Sequence, residues 1–166
     1  ILIAILIKID SPGPIIFKQI RYGLDGKKFL IYKFRSMNTS YKNDKKVIQA
    51  IKDDPRITLI GKFIRKWSLD ELPQLLLVIS GEMSLIGPRP ERPKIDILLR
   101  EHLPNYDLRY SIKPGITGWA QVNYPYGASI EDSKFKLSYD IYYIKNFSIL
   151  LDCIIFFKTM RLVING

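Results

Sequence analysis

Three proline and glycine clusters cut this chain into stretches that no helix or strand can cross: Ser11-Pro12-Gly13-Pro14, Gly87-Pro88-Arg89-Pro90 and Lys113-Pro114-Gly115. Proline lacks a backbone N–H, holds its own φ fixed and pushes the preceding residue towards extended conformations. Between the clusters, the period of the apolar residues decides the element type. Residues 15–21 and 28–34 alternate apolar and polar side chains around Gly23-Leu24-Asp25-Gly26, and Asp-Gly there predicts a β-hairpin. Residues 38–54 are polar, lysine-rich and aperiodic, which predicts a loop with one helical turn at most. A helix is expected over 54–67, with Ile57, Ile60, Ile64 and Trp67 on one face, and another over 70–79, where Pro73 fits only in the first turn. Further helices are predicted over 91–102, 130–146 and 148–163. The last is apolar nearly all round yet carries Asp152, Lys158 and Arg161, as suits a helix lying in a membrane interface or packed on one side.

The first nine residues are apolar apart from Lys8, about half of the ~20 residues needed to cross a bilayer. They read as an opening core strand or, preferably, as the exit half of a membrane-embedded segment. A length of 166 residues suits a single domain with a real core. Twenty-six Lys and Arg against sixteen Asp and Glu give a net charge of +10, so the partner is expected to be polyanionic. Nucleic acid, an anionic membrane face and phosphorylated substrates all meet that description. No helix-turn-helix, zinc-finger or RNP-like signature supports nucleic acid. One cysteine, Cys153, permits no internal disulfide and is expected to be a buried structural thiol. One histidine, His102, excludes a histidine-clustered metal site and falls at a helix end. A metal would therefore need carboxylate and phosphate oxygens, which points to magnesium.

The candidate chemistry centres on Ser68-Leu69-Asp70-Glu71-Leu72-Pro73-Gln74, two adjacent carboxylates at a predicted helix start behind a basic, aromatic segment. Ser68-x-x-Glu71 also fits a capping box, the ordinary way to close a helix N-terminus. Alternatively, one carboxylate attacks a phosphorus while its neighbour holds a metal ion or handles a proton. Basic residues stand in three rigid loops: Lys33 and Arg35 at the end of the hairpin, Arg89 between prolines, and Lys113 before Pro-Gly. A guanidinium presented by Pro-Arg-Pro loses little entropy on binding and matches phosphate oxygens bidentately. Neither a P-loop nor a G-x-G-x-x-G pattern is present, so ATP-type chemistry has no support.

Six ordered blocks together resemble the bacterial sugar transferase family, the monotopic polyprenyl-phosphate phosphoglycosyl transferases. They are Ser11-Pro12-Gly13-Pro14, Tyr32-Lys33-Phe34-Arg35-Ser36-Met37, Asp54-Pro55-Arg56-Ile57-Thr58, Ser68-Leu69-Asp70-Glu71-Leu72-Pro73-Gln74, Met83-Ser84-Leu85-Ile86-Gly87-Pro88-Arg89-Pro90 and Lys113-Pro114-Gly115-Ile116-Thr117-Gly118-Trp119-Ala120-Gln121-Val122. The ending Tyr139-Asp140-Ile141-Tyr142-Tyr143-Ile144-Lys145-Asn146 looks like that of the exopolysaccharide-type members. The resemblance implies an α+β fold over 1–166, mostly helical, with a small N-terminal hairpin and interfacial C-terminal helices. Residues 1–10 would be the remnant of a re-entrant membrane helix.

It implies transfer of a phospho-sugar from a UDP-sugar to polyprenyl (undecaprenyl) phosphate with release of UMP. This is a first membrane step of exopolysaccharide, O-antigen or glycoconjugate assembly, at the cytoplasmic face of the inner membrane and without nucleic acid. Asp70 matches the nucleophile that forms a covalent phosphosugar-aspartate, and Glu71 matches its partner in magnesium binding or proton handling, with Asp70 beside it at the metal. Arg89 is the first choice for substrate phosphate, then Lys33 and Arg35, then Arg56. Glu82 stands where many members carry Asp. The contrasting expectations are a non-catalytic basic module that binds membranes or polyanions, and an inactive truncated remnant of the enzyme.

Overall fold

The computed structural model describes residues 1–38, 54–125, 127 and 129–165, so most of the predicted loop at 38–54 lies outside the described residues. Internal packing divides them into two compact units, one of residues 1–18 and 32–73, the other of 19–31 and 74–165.

In the first unit the apolar opening run is a helix, α1 (Leu2–Asp10), and not a core strand. It stops at Ser11, which turns extended ahead of Pro12 (φ −159°). Two strands follow in the chain, β1 (Ile16–Tyr22) and β2 (Lys28–Phe34), paired in a two-stranded antiparallel sheet whose residues 16–18 and 32–34 belong to the first unit and whose remainder, with the turn, belongs to the second. Their turn places Asp25 at φ 56° and Gly26 at φ 68°, the left-handed pair that an Asp-Gly hairpin turn requires.

Helix α2 spans Leu59–Lys66 and begins five residues later than 54. The intervening residues spend their hydrogen bonds elsewhere. Asp54 accepts from the Arg56 N–H (3.0 Å), Met37 and Ile57 form an antiparallel bridge, and the Thr58 side chain caps α2 by accepting from Gly61 N. Ile64 is fully buried on the face expected from its spacing. The predicted helix over 70–79 divides into a 3-10 turn, Leu69–Gln74, and a short helix α3, Leu75–Ile79, because Pro73 within the turn has no N–H to give.

The second unit holds β3 (Ser84–Ile86), α4 (Pro93–His102), a 3-10 turn (Tyr106–Tyr110), β4 (Gly115–Thr117), α5 (Trp119–Asn123), α6 (Ile130–Asn146) and α7 (Ile149–Asn165). Helix α4 starts with Pro93 in its first turn, two residues inside the expected boundary. Helix α6 matches its expected limits and opens on a capping box between Ser129 and Asp132. Strands β3 and β4 pair in parallel, Ser84 opposite Gly115 and Ile86 opposite Thr117, a sheet that three-residue strands do not announce in sequence. The core comprises Leu99, Leu103, Tyr106, Tyr110 and Leu137, with Tyr22, Ile95 and Ile141 against it. His102 ends α4 with its Nδ1 2.8 Å from the Leu98 carbonyl.

Cys153 is exposed, contrary to the buried thiol expected: α7 buries Ile155 and turns Cys153 to the surface. The same helix exposes Ile149, Leu150, Phe157, Leu162 and Ile164 by more than half. On α1, Leu2, Ile5 and Ile9 are likewise exposed. Among the described residues no helix is long and apolar enough to cross a membrane.

Gly61 shows how tightly the first unit is packed. A Cβ there would meet the Ser36 carbonyl oxygen at 2.0 Å. Gly61→Ala is expected to lower the unfolding free energy by about 1–3 kcal/mol in chemical denaturation, whereas Lys62→Ala on the exposed side of α2 should stay within about 0.5 kcal/mol.

Candidate active site

Asp70 and Glu71 stand on the six-residue 3-10 turn that follows α2. Trp67 closes α2, and Ser68 takes a left-handed conformation (φ 53°) that swings the chain into the turn. That conformation also rules out the capping box, whose first residue needs extended geometry. The Ser68 carbonyl accepts from Glu71 N (3.2 Å), while the Glu71 carboxylate reaches out to Lys33. Lys33 Nζ donates to Glu71 Oε1 at 2.6 Å, with both side chains largely shielded from water. The charge partner of the acidic pair is therefore a lysine on β2 and not an α-helix N-terminus.

Burial pushes the Asp70 carboxyl above the usual carboxylate range, and the neighbouring Glu71 charge pushes the same way. Lys33, Arg65 and a backbone hydrogen bond oppose that rise. The net result is a partly desolvated carboxyl held above its ordinary range and flanked by two cations, the environment expected of a nucleophile or general base.

The other predicted basic residues divide between the units. Arg35, expected at substrate phosphate, is only 4% exposed, and its guanidinium donates to the carbonyls of Ile7 (3.2 Å), Ser11 (2.7 Å) and Pro12 (2.5 Å). It closes the C-terminal end of α1, so its fork is committed to backbone and not to substrate phosphate. Arg56 is clamped on buried Asp54 by a bidentate pair, Nε–Oδ1 at 2.9 Å and Nη2–Oδ2 at 2.6 Å. Lys33 and Arg65 remain beside the carboxylates.

Arg89 belongs to the second unit, where two of the sequence blocks form one piece of structure. A Cβ on Gly115 would meet Gly87 N at 2.2 Å, and one on Gly118 would meet Gly87 O at 2.2 Å, so the loops after β3 and around β4 touch backbone to backbone. Arg89 Nη1 donates to the Ile116 carbonyl at 3.3 Å. Its own carbonyl accepts from Arg109 Nη2 (2.7 Å), and the Pro90 carbonyl accepts from Arg21 Nη1 (3.1 Å). Lys113 is exposed beside this platform. Glu82 accepts from the Ser80 hydroxyl at 3.2 Å.

Sequence reasoning missed Arg109, Asp140 and Asp96, three buried charged residues of this unit. A signal was available for Asp140, which lies with Leu137 and Tyr143 on the inner face of α6, a position where an acid needs a buried partner.

Among the described residues no group of three or more His, Cys, Asp or Glu side chains converges on a metal position. Two adjacent carboxylates still fit magnesium, which is commonly held by one or two carboxylates with substrate phosphates completing its shell.

A family profile described as bacterial sugar transferase matches residues 1–166. The chain belongs to that family. Among curated relatives it is similar to the UDP-N-acetylgalactosamine-undecaprenyl-phosphate N-acetylgalactosaminephosphotransferase of Aeromonas hydrophila, 49% identical over 165 residues, which are 98% of this chain and 38% of that protein. The UDP-glucose:undecaprenyl-phosphate glucose-1-phosphate transferase of Escherichia coli (strain K12) is 46% identical over 95% of this chain and 34% of its own length. The chain thus spans about a third of these two relatives. It covers more of the exopolysaccharide production protein PSS of Rhizobium leguminosarum bv. phaseoli, 82% of that protein at 44% identity.

A family member with a desolvated acid at position 70 should carry a stability cost there. The folded state holds the Asp70 proton more tightly than the unfolded chain does, so the cost is absent below the ordinary value of 3.8 and grows as pH rises through the folded value. Asp70→Asn is therefore expected to unfold at a higher temperature than wild type at pH 7, and the gap should narrow as pH falls towards 3.8.

Proposed function

We propose that the chain is the catalytic region of a polyprenyl-phosphate phosphoglycosyl transferase, which moves a phospho-sugar from a UDP-sugar to undecaprenyl or a similar polyprenyl phosphate. A carboxylate oxygen of Asp70 attacks the sugar-bearing phosphorus, the bond from that phosphorus to the bridging oxygen breaks, and UMP leaves. An oxygen of the lipid phosphate then attacks the same phosphorus, the bond to Asp70 breaks, and the sugar departs on a lipid diphosphate. The observation that carries this reading is the half-buried Asp70 beside the Lys33–Glu71 pair and Arg65.

An anionic nucleophile meeting an anionic diphosphate needs positive charge nearby. Lys33 and Arg65 supply it at the carboxylates, and Arg89, on its fixed loop, is the guanidinium suited to the substrate phosphates. Asp70 and Glu71, with diphosphate oxygens, would hold magnesium, which neutralises phosphate charge when bound. The exposed apolar residues of α1, and separately those of α7, each suit an element that meets a lipid surface, and the cytoplasmic face of the inner membrane, where the lipid phosphate lies, is the location proposed. The relatives' names support the UDP-sugar and undecaprenyl-phosphate substrates. Exopolysaccharide, O-antigen and glycoconjugate assembly are the pathways proposed.

Incubation with a panel of UDP-sugars and magnesium, without lipid acceptor, should add one phosphosugar mass to the intact protein, and undecaprenyl phosphate should then discharge it with UMP release already complete. Asp70→Asn should show neither adduct nor turnover; turnover retained in that variant overturns the mechanism. Binding of anionic vesicles that weakens with salt and ignores UDP-sugars would instead favour the polyanion-binding module.

Lys33 lowers the Asp70 pKa, so its removal has a defined sign. Lys33→Met should move the acidic limb of the kcat/KM profile to higher pH, because Asp70 then holds its proton longer. A limb that stays in place would show that Asp70 does not govern it.

A further inference from the structure

The Pro88-Arg89-Pro90 loop rests on a buried ionic network that the proposed reaction does not itself use. Arg109 and Asp140 form an ion pair at 3.0 Å with both side chains under a tenth exposed. Arg109 spreads its fork in two directions: Nη1 donates to the Tyr106 hydroxyl (2.6 Å), and Nη2 donates both to Asp140 and to the Arg89 carbonyl (2.7 Å). Tyr106 and Tyr110 then donate to Asp96, which is completely buried.

We infer that Arg109 and Asp140 are positioning residues for Arg89: the pair holds the Arg89 carbonyl and so fixes the direction in which the Arg89 guanidinium is presented to a substrate phosphate. The inference rests on the function proposed above for its ligand, and on the geometry for its mechanics. The prolines on both sides fix φ at 88 and 90, and position 90 offers no N–H, so the carbonyls are the natural handles on this loop. Two separate arginines hold two successive ones, Arg109 at residue 89 and Arg21 at residue 90. Asp140 acts through Arg109, fixing the plane of its fork.

A lysine has a single ammonium and cannot reproduce a fork that donates from two nitrogens to three acceptors. Stability alone does not call for charges here, since a well-packed apolar pair usually stabilises as well as or better than a buried ion pair. A directed hydrogen bond to a carbonyl is what the apolar pair cannot supply.

The test is a double-mutant cycle on the full chain in nanodiscs, with undecaprenyl phosphate, magnesium and the UDP-sugar that the wild type turns over. Arg109→Lys and Asp140→Asn should each lower kcat/KM by about 10- to 100-fold, the scale of an ångström misplacement. In an Arg89→Ala background the same substitutions should cost no more than about 2-fold, because the residue they aim is gone. A full loss repeated in that background overturns the inference and leaves the pair a purely structural role.

If a single charge change prevents folding, Arg109→Met combined with Asp140→Leu removes both charges at similar volume and is expected to fold and still lose activity through Arg89. If the wild type releases no UMP, the proposed reaction fails, and amide hydrogen exchange still decides the positioning. Asp140→Asn should speed exchange in residues 86–92 and leave 149–165 unchanged; equal rates at 86–92 overturn it.

Discussion

The 2.6 Å ion pair between Lys33 and Glu71 is the contact on which the candidate site depends. Glu71 adjoins Asp70, and without a cation beside it the two carboxylates would repel and the buried one would take up a proton. Lys33 answers both charges from the end of β2. Arg35, just past the end of β2, closes the C-terminal end of α1. One short segment, residues 33–35, thus anchors both the acidic turn and the apolar helix. A further tie is Asp10, the last residue of α1, whose carboxylate accepts from Ile60 N in the first turn of α2. The acidic turn at the far end of α2 is thus attached to α1 through both ends of its surroundings.

The second unit solves a related problem with backbone. Gly87, Gly115 and Gly118 let two loops approach closer than any side chain allows, and parallel pairing of β3 with β4 locks that approach. Arginines then hold the carbonyls of the Pro-Arg-Pro loop. Rigid presentation of a guanidinium is worth most where the ligand's charge is developing, because the ordering entropy has been lost already on folding. Burial of Arg109 with Asp140 is the cost of that arrangement: burial pushes the Asp140 carboxyl up while Arg109 pulls it down.

How much of this was legible in advance varies with the range of the interaction involved. Asp25-Gly26 specified its turn because left-handed geometry is a local property of those two residues. The helix over 130–146 was readable end to end, since both its cap and its length are local too. Helix α2 starts later than its apolar period predicts, because hydrogen bonds with residues 36–38 compete with the helix there. The acidic pair stood out by composition alone, yet Ser68-x-x-Glu71 read equally as a cap, and only the positive φ at Ser68 and the reach of Glu71 to Lys33 separate the two. Arg35 and Cys153 lie opposite to expectation for one reason: residue type and neighbours in sequence do not say which side chains meet the interior.

By itself, then, the order of residues determined the punctuation of the chain, the element types with strong local periods, the family and the two carboxylates at 70 and 71. Folding alone decided which cation serves which anion. Lys33 lies 38 positions from Glu71, and Arg109 lies 31 from Asp140. Charge attraction at such separations acts only after the backbone has brought the partners within a few ångströms, and local propensity carries no record of that approach.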